Sequence, residues 1–367
     1  MSSRAEEGLP LLALDPAESY FSELAHAFDS AADAAGLVER DISVAGLTIR
    51  LRFAGVELWP LTRPPLEHLE LLAGSEPHAS ICAFDGASTG VRVPDFPFSG
   101  LDVRQQGLIA GYNGERFRTV YHGNILDPPH YGFNALSMFD TAPATAIFWV
   151  ESRARVPWWE PVEPFRPALH WVLAAHGRHM VHAAVVATKQ GAVLIAGKGW
   201  SGKSTTAMAC VEAGFGFLGD NYAVLSDADA EPIAHTLFAN AKLRPGTLDL
   251  LPELASGVGA LDVPEDEKLI VDFRHFRREQ LQHSAPVKAV LVPELTGGDR
   301  TRVEPASARA GLMALAPSTI YQLPNNGGAG LRPMAQLVRS VPTYSLKLGR
   351  DPRTAPPAIE RLLEELG

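Results

Sequence analysis

The eight residues from Gly197 to Ser204 match the pattern G-x-x-x-x-G-K-[ST], which binds phosphate groups in many nucleotide-binding proteins. An apolar, strand-like run, GAVLIA, precedes this loop, and a helix-like run, TTAMACVEAG, follows it. Glycines let consecutive backbone N–H groups curl around an anion, and the N-terminus of the following helix adds positive partial charge. The lysine of such a loop reaches the β- and γ-phosphates, and the hydroxyl after it binds Mg²⁺. The sequence therefore predicts a site for a nucleotide and Mg²⁺.

Each position of this loop, with the threonine after it, is a candidate contact for the nucleotide. We expect Lys203 to bind phosphate and to be exposed to solvent when no nucleotide is bound. We expect Ser204 to bind the metal. Trp200 is unusual in such a loop, and the sequence leaves open whether it covers the phosphates or packs on the protein. The predicted cofactor-binding residues are Gly197, Lys198, Gly199, Trp200, Ser201, Gly202, Lys203, Ser204 and Thr205.

Two further side chains are candidates for proton transfer. Asp220 follows a short apolar strand, GFGFL, that comes directly after the helix of the loop. A carboxylate there can face the γ-phosphate, so we predict that Asp220 accepts the proton of an attacking hydroxyl and holds Mg²⁺, directly or through water. His182 opens the strand before that of the loop, where it could pair with Asp220 and tune its proton affinity. The predicted catalytic residues are Asp220, His182 and Lys203; a turn aspartate and a structural histidine are the alternatives.

Three more side chains of the second half, Lys242, Arg244 and Ser318, are candidates for a role at the site. Lys242 and Arg244 follow a probable strand and could clamp a phosphate or an acidic peptide, although a solvated face is the simpler interpretation. The run Ala316–Ile320, APSTI, has the composition of a helix N-cap and would place Ser318 at the start of a helix.

The elements around these motifs predict a mixed α/β protein in two parts. Residues 16–36 have helical spacing that ends at a glycine, and residues 47–53 alternate between apolar and polar as a half-buried strand does. We predict a β-rich α+β domain over residues 1–165, whose chemistry the sequence does not indicate. We predict an α/β P-loop nucleotide-binding core over residues 166–367. A connector rich in proline and tryptophan, residues 156–167, lies at the boundary.

Composition excludes several classes of function. The chain has 367 residues, with 32 Lys+Arg against 42 Asp+Glu and a net charge of −10, which disfavours general binding to nucleic acid. Its two cysteines lie far apart without a histidine cluster, so neither a disulfide framework nor a cysteine-based zinc module is expected. The sequence contains no run of 18 apolar residues and no signal-peptide pattern, so we predict no membrane span and a cytoplasmic location. The sequence leaves open whether the protein forms a homo-oligomer.

The stretch from His182 to Leu225 resembles the core of HPr kinase/phosphorylase and its serine-kinase-like relatives, whose fold is similar to PEP carboxykinase. That family has a histidine at the head of one strand, a loop ending in Gly-Lys-Ser, one helix, and an Asp-Asp pair. His182, the loop and Asp220 match these positions, but Asn221 replaces the second aspartate and Thr205 replaces a usual glutamate. The family's distal signature loop is not recognisable, and residues 1–165 do not resemble its N-terminal domain. The resemblance thus implies a relative of HPr kinase, such as those found beside peptide-modification genes, and not HPr kinase itself.

This resemblance implies a kinase that uses ATP and Mg²⁺ to phosphorylate a hydroxyl, in particular a serine of a protein or peptide partner. It implies Asp220 as the catalytic base. The alternative is an ATP-binding regulatory or partner-binding module with weakened catalysis, because Asn221 cannot carry the charge of an aspartate. Exchange of Asn221 for aspartate would restore the acid pair and is not expected to abolish activity. A GTPase-like switch is disfavoured, because the Asn-Lys-x-Asp guanine signature does not occur.

Overall fold

The computed structural model describes residues 15–72, 76–122, 134–228, 231–259, 268–324 and 327–367. Within this part of the chain, helices and strands form a mixed α/β structure with two main sheets and one small sheet of two strands. The predicted mixture of helix and strand is confirmed. The predicted boundary near residue 165 stays a prediction.

Strands from the first half of the chain form one of the main sheets. Among the described residues its strand order is β1-β2-β3-β6-β5-β4, with β2–β3 and β3–β6 parallel and the other neighbours antiparallel. The predicted strand over residues 47–53 is confirmed as β2. The elements are α1 (Pro16–Ala35), β1 (Leu37–Val44), β2 (Leu47–Ala54), α2 (Leu58–Thr62), β3 (Ala79–Asp85), α3 (Gly86–Thr89), β4 (Phe117–His122), β5 (Ala135–Asp140) and β6 (Thr145–Val150).

Helix α1 confirms the helix predicted from apolar spacing. The Asp15 side chain caps its N-terminus by accepting a hydrogen bond of 3.0 Å from the backbone N–H of Ala17, and Pro16 occupies the first turn. The chain leaves the helix at Gly36, whose φ of 83° favours glycine. The buried face of the helix, which includes Phe21 and Leu24, packs on this first sheet.

The second main sheet is built from the second half of the chain. Its order over the described strands is β10-β8-β9-β15-β12-β11-β7, and β17 pairs with β15 and with β16; β13 and β14 form the small sheet. The elements are α4 (Arg166–Ala175), β7 (His179–Val181), β8 (Ala184–Thr188), β9 (Gly191–Ile195), α5 (Lys203–Glu212), β10 (Gly216–Gly219), β11 (Ala223–Ala228), β12 (Glu231–His235), β13 (Asn240–Leu243), α6 (Gly246–Leu250), β14 (Leu269–Asp272), β15 (Ser284–Gly298), β16 (Arg302–Ala306), α7 (Ala308–Gln322), α8 (Gly327–Ser340), β17 (Thr343–Gly349) and α9 (Ala355–Leu366).

Strand direction brings the predicted site residues to one edge of this sheet. β8 runs antiparallel to both β9 and β10, so β9 and β10 point the same way. The end of β9, which leads into the loop at 197–204, therefore lies at the same edge as the end of β10, which leads into Asp220. The start of β8, next to His182, lies at that edge as well.

Helix α4 packs between the two main sheets. It contacts β5 and β6 of the first sheet and β7 of the second. Its apolar side chains join one core with residues from both halves of the chain, such as Ile49 and Phe148 on one side and Tyr222 and Leu323 on the other. Because this core is continuous, unfolding of either sheet exposes apolar surface of the other.

None of the helices in the described residues is long and apolar enough to cross a membrane.

Leu169→Ala tests the shared core. Leu169 lies on α4 and is fully buried, so its truncation should lower the free energy of unfolding by about 2–5 kcal/mol. Both sheets should unfold in one transition, which chemical denaturation followed by tryptophan fluorescence and by circular dichroism will show. Leu101→Ala is the control, because Leu101 is 87% exposed and its change should stay within about 0.5 kcal/mol. Two separated transitions in the parent chain would contradict a shared core.

Candidate active site

The loop between β9 and α5 has the tight backbone that its glycines predict. Gly202 has a φ of 95°, and a Cβ there would lie 2.7 Å from Leu348 Cδ1, so a larger residue would be strained and would clash. A Cβ on Gly197 would lie 2.7 Å from Ser201 Oγ. Trp200 also has a positive φ, 67°, although it is not glycine. Helix α5 then begins at Lys203 and directs its N-terminus at the loop.

Lys203 is buried, which corrects the expectation of an exposed side chain. Its Nζ donates hydrogen bonds to the carbonyl oxygens of Gly197, at 2.8 Å, and of Lys198, at 3.1 Å, and the residue is only 9% exposed. The curled loop supplies the acceptors that a buried ammonium requires, so the side chain folds back on its own loop. Burial lowers the pKa of Lys203, and the nearby Asp220 carboxylate opposes that shift.

Asp220 lies beneath the first turn of α5. It is 5% exposed, Oδ2 accepts a hydrogen bond of 3.1 Å from the backbone N–H of Lys242, and the Ser204 hydroxyl lies close by. Burial raises the pKa of Asp220, while Lys268, Ser204 and the Lys242 N–H act in the opposite direction. The structure thus joins the two residues predicted to hold Mg²⁺.

His182 lies at the predicted edge, but its partner is Asn221 and not Asp220. His182 Nε2 is 3.0 Å from Asn221 Oδ1, and its backbone N–H donates to Thr319 Oγ1 at 3.0 Å. The chain turns at Asn221 with a φ of 84°, so neighbouring side chains diverge: Asn221 reaches His182, whereas Asp220 reaches Ser204 and Lys242. His182 also precedes β8, which begins at Ala184, and does not open it as expected.

Glu163 is a site residue that the sequence did not predict. It belongs to the proline-rich connector and is 3% exposed. Its Oε1 accepts a hydrogen bond of 2.5 Å from Asn221 Nδ2, its Oε2 lies 2.6 Å from Lys242 Nζ, and Arg166 Nη1 lies 3.6 Å away. Burial favours the neutral acid, but Lys242 and Arg166 bring the pKa of Glu163 below its ordinary value. A carboxylate is therefore held at the site by a segment whose sequence contains no recognisable motif.

This contact also fixes the protonation state of His182. The Asn221 amide donates to Glu163, so its oxygen faces His182 and must accept from Nε2–H. The lone pair of the imidazole is then on Nδ1, which is buried without a hydrogen-bond partner among the described residues. Burial, followed by the charge of Lys203, lowers the pKa of His182 to about 4. His182 is thus neutral at pH 7, as the Nε2–H tautomer.

These residues surround a cavity of about 550 Å³, which is within the range of small-molecule sites. One part of its wall is polar and another part is apolar. Of the predicted residues, Gly197, Lys198 and Asp220 do not line it, and Asp220 reaches it only through Ser204. The predicted residues that line it are His182, Gly199, Trp200, Ser201, Gly202, Lys203, Ser204 and Thr205, joined by Glu163, Arg166, Asn221 and Lys268.

Lys242, Arg244 and Ser318 also line this cavity, and their side chains make different contacts. Lys242 is 7% exposed and its ammonium is engaged by Glu163, so it is not the solvated lysine of the simpler interpretation. The Arg244 guanidinium stacks over the Trp200 ring. Ser318 lines the cavity from inside α7, not from a helix start. The N-cap of that helix is Ser307, so the predicted cap at Ala316–Ile320 is wrong.

The described residues include no group of three or more His, Cys, Asp or Glu side chains placed to hold a metal. Ser204 and Asp220 nevertheless offer a hydroxyl and a carboxylate, which are hard oxygen ligands. Mg²⁺ is usually bound by one or two carboxylates together with substrate phosphates and water, so this pair fits that ion better than a cation that needs a full protein cage.

The chain has little detectable similarity to known proteins. No protein-family model and no curated protein matches the chain. Among solved structures, the chain is similar to the Hpr(Ser) kinase/phosphatase from Coxiella burnetii, with 14% identity, a TM-score of 0.27, and coverage of 51% of this chain and 95% of that one. At this level of similarity the function cannot be taken from the relative, so it is inferred from the residues of the site.

Exchange of the acid and the amide between positions 163 and 221 tests the Glu163–Asn221 contact. Asn221→Asp places a second carboxylate against Glu163, so it should lower the free energy of unfolding by about 3–5 kcal/mol. The double variant Glu163→Gln/Asn221→Asp restores one acid and one amide and should recover most of that loss. Urea denaturation of both variants and of Glu163→Gln measures this. If the loss of unfolding free energy in the double variant equals the sum of the losses in the two single variants, residues 163 and 221 are not in contact.

Proposed function

We propose that the protein binds ATP with Mg²⁺ and transfers the γ-phosphoryl group to a hydroxyl, in particular a serine of a protein or peptide. One observation carries this proposal: Lys203 and the half-buried Ser204 line a cavity large enough for a nucleotide at the start of α5, and the buried carboxylate of Asp220 lies next to Ser204. The serine acceptor is supported only by the sequence resemblance around the loop.

The phosphates bind at the loop in this proposal. Backbone N–H groups at the start of α5 point toward the anion, and the helix adds positive partial charge. The Lys203 ammonium exchanges its bonds to the carbonyls of Gly197 and Lys198 for a charge-assisted bond to phosphate oxygen. Lys268 and Arg166, which also line the cavity, add positive charge for a polyanion.

The metal would be held by Ser204 and Asp220. Mg²⁺ would there neutralise part of the negative charge of the phosphates. The Ser204 oxygen has lone pairs for the metal, so it could bind the ion while its proton still points toward Asp220. The backbone N–H of Lys242 holds the Asp220 carboxylate in place.

Transfer needs an acceptor for one proton. The hydroxyl oxygen of the acceptor forms a bond to the γ-phosphorus, the bond from that phosphorus to the bridging oxygen of ADP breaks, and the hydroxyl proton moves to Asp220. Burial raises the proton affinity of Asp220, which suits this role. His182, neutral and fixed by Asn221, positions the adjacent turn.

An ATP-binding module without transfer is the second candidate. Asp220 is 5% exposed and does not line the cavity, and its neighbour Asn221 is uncharged. These features favour a site that binds a nucleotide and responds to it through partner contacts. Measurements of binding and of transfer separate the two candidates.

Lys203→Ala should abolish stabilisation by ATP and Mg²⁺. A ligand present at 100 times its Kd stabilises the folded state by about 2.7 kcal/mol, and this gain should disappear when the lysine is lost. Thermal unfolding with and without ATP·Mg²⁺ measures the effect. Lys189→Ala is the matched control, because Lys189 is exposed in the β8–β9 turn and should leave stabilisation unchanged. If Lys203→Ala binds ATP·Mg²⁺ as the parent does, the loop is not the nucleotide site.

Asp220→Asn should keep ATP binding and lose transfer. The amide preserves the size of the side chain and can still accept from the Lys242 N–H, but it cannot take the proton, so the rate should fall about 10²–10⁴-fold. Transfer of labelled γ-phosphate to serine peptides, with ATP affinity measured in parallel, tests this. Asp299→Asn, at an exposed position, is the control. A parent that binds ATP tightly and phosphorylates no acceptor would favour the regulatory module.

A further inference from the structure

The apolar part of the cavity wall has no role in the phosphate chemistry described above. It consists of Trp200, Leu250, Leu295, Leu348 and Pro352, and we call it the Trp200 surface. The side chains of Leu348 and Leu295 lie under the loop, 2.7 Å and 3.6 Å from the place that a Cβ on Gly202 would take. The Trp200 surface is therefore in direct contact with the loop that carries Lys203.

Large apolar side chains are unusually exposed here. Trp200 is 75% exposed, Leu295 69% and Leu250 43%, although each lines a cavity. Contiguous exposed apolar area at the wall of a cavity is typical of a place where a ligand is bound, since covering it removes apolar surface from water.

Trp200 is also held in a defined orientation. Its φ of 67° is rare for a bulky residue, and such backbone conformations cluster at ligand sites. The Arg244 guanidinium stacks on the indole, which restrains the ring and places a positive charge beside the loop. With three-quarters of its surface still exposed, the indole can accept a second planar group.

We infer that the Trp200 surface binds the nucleobase of the nucleotide, which stacks on the Trp200 indole while the leucines cover its edge. This inference rests on the proposed function, because it places the base of the same nucleotide whose phosphates bind at Lys203. Trp200 is itself part of the loop and lines the same cavity as Lys203, so the indole is within reach of a ligand whose phosphates bind at that loop. A side chain of a peptide acceptor is the competing occupant, and such a ligand has no comparable tie to the loop.

The test compares ATP with tripolyphosphate, which has the phosphates and no base, each with Mg²⁺ and measured by titration calorimetry. The parent should bind ATP more tightly by about 5- to 150-fold, the factor expected for one base stacked on an aromatic ring. Trp200→Ala should remove that advantage and leave the affinity for tripolyphosphate unchanged. Trp200→Phe should keep most of it, because phenylalanine retains a stacking face. Met313→Ala is the control, because Met313 is 63% exposed and outside the cavity.

Failure of the inference and failure of the proposed function give different results. Equal affinities for ATP and tripolyphosphate in the parent would overturn the base site and leave the phosphate site intact. Equal weakening of both ligands by Trp200→Ala would also overturn it, because the residue would then only shape the loop. Unchanged ATP affinity with weakened turnover of a peptide would assign the surface to the acceptor. A parent that binds neither ligand would overturn the proposed function itself.

Discussion

The buried carboxylate of Glu163 is the constraint on which the arrangement of the site depends. A charge that is 3% exposed must be paired, and its partners come from three separate segments: Asn221 after β10, Lys242 on β13, and Arg166 at the start of α4. The same lysine holds Asp220 through its backbone, and the same asparagine holds His182 through its side-chain oxygen. One acid thus fixes the relative positions of the side chains to which we assign chemistry.

Such a pairing is poor evidence for stability. Removing two charges from water costs several kcal/mol per ion, and apolar residues of similar volume often serve the stability of a fold as well or better. What the ion pair provides is a unique arrangement, because the carboxylate accepts an amide N–H on one oxygen and an ammonium on the other. Lys203 takes no part in this pairing and donates to loop carbonyls, so it is a cation that a phosphate can recruit without breaking an ion pair.

The local sequence pattern predicted most of the helices and strands named in the sequence analysis. It did not predict which side chains contact each other at the site. The helix at 16–35, the strand at 47–54 and the strand–loop–helix at 191–212 follow from spacing, caps and glycines, which are properties of neighbouring residues. The partner of His182, the burial of Lys203 and the role of Glu163 depend on contacts between distant segments, which periodicity does not encode. The wrong cap at Ala316–Ile320 has a local cause: its serine and threonine are typical of a helix N-cap, whereas the helix begins at Ala308 after the N-cap Ser307 and includes this segment.

Glu163 lies in the connector, so the first sheet is linked structurally to the cavity. The connector joins that sheet to α4, and α4 lies in a core that both sheets share. A molecule bound to the first sheet that displaces the connector must alter the Glu163–Lys242 ion pair, and with it the electrostatic potential in the cavity. By linkage, an anion bound in the cavity then changes the affinity of that distant molecule by the same factor. A molecule with this effect on the connector would make the first sheet report on the occupancy of the loop.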